Sequence, residues 1–256
     1  MKKSLLKILN YLNLFGFHPV AILHLPKFSR FIREKRAFLN EGGEITTVFP
    51  VFSDYKSSAG SHKGHYFHQD LVVAQQIYSK NPKRHLDIGS RIDGFVAHVA
   101  TFRPIDVLDV RHLTQSEHPN IRFRQLDLMQ ERTLQIDTFD SISCLHAIEH
   151  FGLGRYGDQI DPNGYHKGFT NLISMLETGG DLYLSFPIGL KNEIHFNAHR
   201  VFHPLDVFNW PDCKKKLILN RFDFVDDAGN LHTNIDLLTS PPQTIYGCGI
   251  YSFTKI

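Results

Sequence analysis

Residues 84–111 constrain the fold of this chain more tightly than any other stretch. A strand pattern over His85–Ile88 runs into a tight glycine turn. A helical pattern follows over Gly94–Phe102, and then a second strand over Asp106–Val110. Together these make one β-α-β unit, with Asp87 near the end of the first strand and Asp109 near the end of the second. Parallel sheets bind nucleotide-like ligands beyond the carboxyl ends of their strands. An acid about 20 positions past the glycine turn is suited to the hydroxyls of a ribose.

The turn narrows the choice of ligand. Dinucleotide sites use Gly-x-Gly-x-x-Gly and lay a pyrophosphate on a helix N-terminus. Here the order is Asp87-x-Gly89-x-Arg91-x-Asp93-Gly94, which keeps two glycines and sets Asp93 where a phosphate would be repelled. That speaks against NAD or FAD and for a phosphate-free cofactor with a positive centre. S-adenosylmethionine (SAM) is such a cofactor. An NAD(P)-dependent oxidoreductase on the same sheet is the competing enzyme class, and no Tyr-x-x-x-Lys pair near the fifth strand supports it. A non-catalytic binding or scaffold module is the remaining alternative, disfavoured by acids at three strand ends.

The 256 residues suit one large domain or a domain with an appendage, and 42% hydrophobic with 21% charged residues is an ordinary soluble globular composition. A net charge of +2 gives no concentrated basic face, so nucleic acid is not expected as a partner. Cys144, Cys213 and Cys248 have no metal or redox spacing and read as reduced, buried thiols of the cytoplasm. No ligand spacing among the 16 histidines demands a metal, and none is expected. Met1–Leu12 imitates the start of a signal peptide, but Lys7 and Asn10 interrupt the apolar run and no small-residue cleavage site follows. Leu5, Ile8, Leu9 and Leu12 share one helical face, which reads as a helix packed on the body. The alternative is an interfacial helix with Lys2, Lys3 and Lys7 toward anionic lipid, making a cytoplasmic protein peripheral to the inner membrane.

Residues 1–40 read as helical, with breaks at His18-Pro19 and near Pro26. Thr46–Phe52 reads as a short strand or extended segment, Ser53–Gly64 as a surface loop, and Asp70 as the cap of a helix reaching about Ser79. From Arg84 onward strands and helices alternate, which marks a doubly wound sheet. Further strands are expected at Ile121–Gln125, Phe139–Leu145, Asp181–Phe186, Leu217–Val225 and Tyr246–Thr254, with helices at Gly164–Leu176 and Leu205–Trp210. The expected fold is an α/β, Rossmann-like, seven-stranded sheet, mostly parallel, with the last strand antiparallel. Residues 1–69 are its N-terminal helical extension and loop, and 70–256 the main domain.

Over residues 84–256 the chain resembles the class I SAM-dependent methyltransferases. The resemblance rests on Asp87-x-Gly89 after strand one, Asp109 after strand two, Asp127 after strand three, Cys144–His150 after strand four, and Leu176–Gly180 before strand five. It implies that Asp87 and Gly89 hold the methionine moiety, Asp109 the ribose hydroxyls, and Asp127 with Leu128 the adenine edge. Ser90, Arg91, Gly94 and Leu145 complete the implied cofactor set; Arg91 departs from the second glycine many members carry. More narrowly, Glu149–Asp158, Phe196–Phe202 and Gly64–Asp70 look like an uncharacterised bacterial subfamily of this fold. Such proteins are linked with surface-polysaccharide biosynthesis, which implies a small-molecule or glycan acceptor.

A hydroxyl acceptor must lose its proton to a histidine or carboxylate within hydrogen-bond reach. In this fold the residues just after strand four face the methyl group, so His146, Glu149 and His150 are the candidate catalytic residues, with His199 beyond strand five. Gly152–Gly157 holds three glycines, which implies unusual backbone angles or close ligand approach. Arg155, Tyr156 and Asp158 are the acceptor-binding candidates there, Arg155 for a phosphate or carboxylate and Tyr156 for a sugar ring. Asn197 and Arg200, at the same rim, join them.

Overall fold

The computed structural model describes residues 12, 15–17, 26–113, 118–130 and 138–256. The chain divides into two compact units, Met1–Gly60 and Ser61–Ile256. In the first, Pro26 precedes helix α1 (Lys27–Asn40). Lys27 Nζ donates to the Phe52 carbonyl at 2.8 Å, and the Phe31 and Phe52 rings meet edge-on at 5.8 Å. Phe52 is therefore held against α1, and Thr46–Phe52 pairs with no strand among the described residues. The expected helix at 1–12 lies, apart from Leu12, outside the described residues, as does the break at His18-Pro19. Among the described residues no helix is long and apolar enough to cross a membrane.

The second unit begins with helix α2 (His65–Lys80), which runs across the boundary expected at 69–70. Gly64, at φ 102°, turns the chain into the helix, and Asn81, in the left-handed region, ends it. Asp70 is thus not the cap: it lies within α2, buried with Gln69, Val72, Val73 and Ile77. The strands follow as β1 (His85–Ile88), β2 (Ile105–Asp109), β3 (Ile121–Gln125), β4 (Phe139–Leu145) and β5 (Leu176–Ile188). Between β1 and β2 a wide helical turn at Ile92–Val96 leads into α3 (Ala97–Ala100). Regular α-helix starts later than the expected Gly94, at Ala97, because Gly94 itself adopts a non-helical φ −119°, ψ −113° inside the turn. Helix α4 (Gly164–Met175) precedes β5, which begins at Leu176, ahead of Gly179-Gly180, because Leu176 pairs with Phe139.

After β5 come a hairpin, β6 (Glu193–His195) and β7 (His199–Val201), then α5 (Cys213–Lys216), β8 (Leu217–Val225), β9 (Leu231–His232) and β10 (Gly247–Lys255). Leu205–Trp210 forms a single tight turn at Asp206–Asn209 rather than an α-helix. The main sheet has eight strands in the order β3-β2-β1-β4-β5-β10-β8-β9. β3 through β5 are parallel, and β10 runs antiparallel between β5 and β8. The eighth strand is β9, two residues folding back on β8. Apolar side chains cover both faces: Leu86, Ile142, Phe169, Leu172 and Trp210 on one, Val73, Ile77, Phe95, Val99 and Ile250 on the other. All four residues of β1 are buried, so the polar side chains that alternate along it, His85 and Asp87, must find hydrogen-bond partners inside the protein. The strand order reverses between β1 and β4, so the crevice for a ligand opens beyond their carboxyl ends.

Candidate active site

A cavity of about 570 Å³ opens at that crevice. It is lined after β1 by Gly89, Ser90 and Arg91, after β2 by Asp109 and Arg111, and after β3 by Asp127, Leu128 and Met129. After β4 it is lined by Leu145, His146, Glu149, His150, Arg155, Tyr156 and Asp158, and across the rim by His65, Tyr66, His199 and Tyr246. Four expected residues lie outside this lining: Asp87, Gly94, Asn197 and Arg200.

Asp87 is fully buried beneath the turn. Its carboxylate accepts from Ser90 Oγ at 2.8 Å, the Ser90 amide at 3.1 Å and Ser143 Oγ at 2.6 Å. Burial pushes its pKa up to about 7 against these bonds. It shapes the turn through Ser90 and does not itself face the cavity. On its other side His85 bridges Ser141 Oγ (2.8 Å) and Ser143 Oγ (3.1 Å), and burial lowers that imidazole to about 3. Gly89 sits at φ 73°, and an added Cβ there would lie 2.8 Å from the Ala147 Cβ, so bare backbone faces the crevice. Asp93 is less free to repel an anion than its position in the sequence implies, because Arg91 pairs with it at 2.8 and 3.0 Å on the surface.

Asp109, 8% exposed, is gripped by Arg111, whose Nε donates to both carboxylate oxygens at 2.9 and 3.1 Å. Arg111 also donates to the Gly89 carbonyl at 3.2 Å and lies 4.8 Å over the Tyr156 ring. The Arg111 amide (2.8 Å) and its Nη2 donate to the same carboxylate, so each oxygen already meets two donors and a ribose hydroxyl must displace part of this grip to bind there. Asp127 closes a local turn by accepting from the Met129 amide at 2.9 Å.

The histidines after β4 are differentiated by their partners. His146 takes φ 49°, with its amide donated to the Ser185 carbonyl at 3.0 Å. Its Nδ1 lies 2.8 Å from Glu149 Oε1, while Nε2 is buried with no partner. The His65 ring stacks on it at 5.3 Å, with Tyr66 at 5.0 Å. Burial works against charge on both partners, yet the Cys248 sulfur and Glu149 hold His146 well above its ordinary pKa, and the imidazoles hold Glu149 below its own. Burial and the neighbouring His146 push His65 down to about 4. His150 is different: its Nδ1 donates to the Ala198 carbonyl at 2.6 Å, and burial lowers its pKa. At neutral pH it is therefore a neutral imidazole with the Nε2 lone pair unprotonated, the form required of a general base.

The glycine loop is built around Asp158, which accepts from the amides of Gly152 (2.9 Å), Gly154 (3.2 Å) and Tyr156 (3.1 Å). Asp158 borders the cavity, but its oxygens hold the loop. The exposed Arg155 donates to the Ala198 carbonyl at 2.9 Å, beside Tyr156. Arg200, only 2% exposed, gives its guanidinium to the carbonyls of Glu149, Phe151 and Pro162. It braces the main chain and does not reach the acceptor region. Asn197, at φ 62°, is exposed at the tip of the β6–β7 hairpin. Gly94 lies behind the turn, next to Asp70.

Sequence reasoning missed Arg111, His65, Tyr66 and Tyr246 as site residues. The Asp109-x-Arg111 spacing carries a signal for the first, since alternate residues of a strand end share a face. Nothing local signals the other three, which reach the cavity from α2 and the segment before β10.

A mostly parallel Rossmann-like sheet with β10 inserted antiparallel is the sheet of the class I methyltransferase fold. The structure is similar to the N-methyltransferase NodS from Bradyrhizobium japonicum in complex with S-adenosyl-L-homocysteine, with a TM-score of 0.50 and 13% identity over 74% of this chain and 87% of that one. It is also similar to a SAM-dependent methyltransferase from Clostridium acetobutylicum, with a TM-score of 0.49 and 14% identity over 74% of this chain and 91% of that one. At such identities the likeness is one of fold. No curated protein matches the chain. The family model described as "Caenorhabditis protein of unknown function, DUF268" matches residues 107–234, half of the chain, and the chain belongs to that family.

Proposed function

We propose that this protein is a SAM-dependent methyltransferase acting on a hydroxyl oxygen of a sugar or glycan precursor. The observation that carries the reading is one cavity bordered by both Asp109, at the end of β2, and His150, with its Nδ1 tied to a main-chain carbonyl. The residues present fit the cofactor. Gly89 offers bare backbone at the crevice, Asp109 offers acceptor oxygens, and Leu108, Leu126 and Leu128 supply apolar wall. The cavity falls within the roughly 300–1,000 Å³ of small-molecule sites.

Asp109 would take the ribose hydroxyls, Asp127 with Leu128 the adenine edge, and the Gly89–Ser90 backbone, held by Asp87 from below, the amino-acid end. When bound, the cofactor supplies an electrophilic methyl group. His150 accepts the proton of the acceptor hydroxyl at Nε2. Tyr156 presents its ring to a sugar, and Arg155 supports a charged substituent. The three cysteines, all buried and free, suit a reducing cytoplasm, and the acceptor class suits the assembly of a surface polysaccharide at the inner membrane.

Calorimetric titration of the folded protein with SAM and with S-adenosylhomocysteine tests the reading. Micromolar binding supports it and justifies screening nucleotide sugars for methyl transfer. Absence of binding by both sinks it.

A further inference from the structure

We propose that His65, His146 and Cys248 form a binding site for one divalent transition-metal ion of the zinc class, with a fourth position open to the cavity. One donor atom from each of the three residues lies within 4.8 Å of the other two. Tetrahedral zinc, with bonds of roughly 2.0–2.3 Å, sets its donors about 3.3–3.8 Å apart, so side-chain adjustment of the order of 1 Å closes the set. The ligation does not depend on the methyl-transfer reading.

Three further observations point at a ligand. His146 Nε2 is buried without a hydrogen-bond partner, a costly state for a polar atom unless something fills it. The other ring nitrogen of His146 is held by the Glu149 carboxylate at 2.8 Å, which fixes the ring as the carboxylate–histidine pairs behind metal ions do. Cys248 is fully buried and free, and its sulfur, which faces His146, is otherwise held only by long contacts, 3.9 Å to Gln69 Oε1 and 3.7 Å to the Gly249 carbonyl.

The charges also close. A dication balances the Cys248 thiolate and the buried Glu149 carboxylate, and both the thiol proton and the Nε2 proton of the His146 imidazolium leave to solvent as the metal binds. His65 and His146 border the cavity while Cys248 does not, so the three ligands form a wall and leave the fourth direction toward the acceptor. Two imidazoles and one thiolate with an open position match the donor set of a catalytic rather than a closed structural zinc site. No spacing in the sequence marks the site, because its ligands come from the first turn of α2, the loop after β4, and β10. A nucleophilic Cys248–His146–Glu149 relay is the rival use of these residues, but a sulfur outside the cavity lining cannot reach a substrate.

The test is Co²⁺ titration of chelator-stripped protein that keeps its thermal unfolding transition. One equivalent should bind with thiolate-to-cobalt charge-transfer absorption and tetrahedral d–d bands, displaced by Zn²⁺. Cys248→Ser should keep the fold, lose the charge-transfer band and weaken Zn²⁺ binding more than about 100-fold, and Glu149→Gln should weaken it about 10–100-fold with the band retained. His232→Ala, at a histidine paired with Asp226 outside the cluster, should bind as the parent does. No stoichiometric binding by the stripped parent, or an unchanged spectrum and affinity in Cys248→Ser, overturns the proposal.

Discussion

Gly152 and Gly157 lie in one loop at nearly the same backbone angle, φ 76° and φ 80°, but in different surroundings. A Cβ on Gly157 would meet nothing within 4 Å, whereas one on Gly152 would lie 1.9 Å from the Asp161 carbonyl oxygen. Gly157→Ala therefore carries only the left-handed strain of an L-residue, about 1–2 kcal/mol. Gly152→Ala carries that strain and must also push the Asp161 main chain away. The push breaks the Asp161 amide to Gly152 carbonyl bond (3.0 Å) and disturbs the Gly164 amide to Asp161 carbonyl bond (2.9 Å) at the entry to α4. With about 1 kcal/mol for a lost hydrogen bond and about 1–3 for forced overpacking, the expected loss is about 3–6 kcal/mol. At about 2–4 °C per kcal/mol for a unit of this size, Gly157→Ala should melt a few degrees low and Gly152→Ala on the order of 10 °C low. Thermal unfolding followed by circular dichroism, with urea midpoints as a check, reads both. Melting temperatures within about 2 °C of each other would refute the claim that the loop is locked by its approach to Asp161.

Three other outcomes are expected. Asp109→Ala removes acceptors for the ribose; at about 1.5–3 kcal/mol for bonds to a charged group, SAM should bind about 10–100-fold more weakly, and unchanged affinity in calorimetry sinks that assignment. His150→Ala should lower turnover by about 10²–10⁴ while leaving the Kd for SAM near the parent value, and full activity would remove it as the base. His85, lowered to about 3 from 6.5 by burial, adds stability above its unfolded pKa that is lost as pH falls; Asp87, raised from 3.8 to about 7 by burial, adds stability at low pH that is lost as pH rises. The two slopes oppose between about pH 4 and 6.5, so the unfolding free energy of Asp87→Asn from urea denaturation should rise with pH and that of His85→Gln should fall, each by up to about 1.4 kcal/mol per pH unit; parallel profiles would refute both directions.

Much of the sheet was legible in the sequence. β1, β3, β4 and β8 occupy the expected residues, because strand pattern and flanking turn residues are local signals. Most of the residues named for the site border one cavity for the same reason, since a residue at a strand's carboxyl end is placed by the strand. What escaped is non-local. The start of α2 depends on Gly64 taking φ 102°, which no periodicity encodes. Arg200 and Asp158 look like binding residues in a one-dimensional reading, yet each spends its polar atoms on main-chain groups that only the folded loop brings near. Asp87 is hidden because β4 brings Ser143 over it. The two-residue strand β9 has too little length to show any pattern.

The place of β10 bears on how the chain assembles. β8 and β9 come earlier in the sequence, yet β8 joins the rest of the sheet only through β10. Until residues 247–255 arrive, β5 presents a bare edge and the β8–β9 pair has nothing to dock on, a state prone to mispairing with other chains. The parallel half of the sheet can form first, and closure then waits on a strand threaded between two others, a topology of long-range pairings that slows folding. Cys248 lies on that strand and His146 follows β4, so the wall they share exists only once the final insertion is complete. An incompletely folded chain would therefore carry the cofactor crevice before it carries the histidine–cysteine wall.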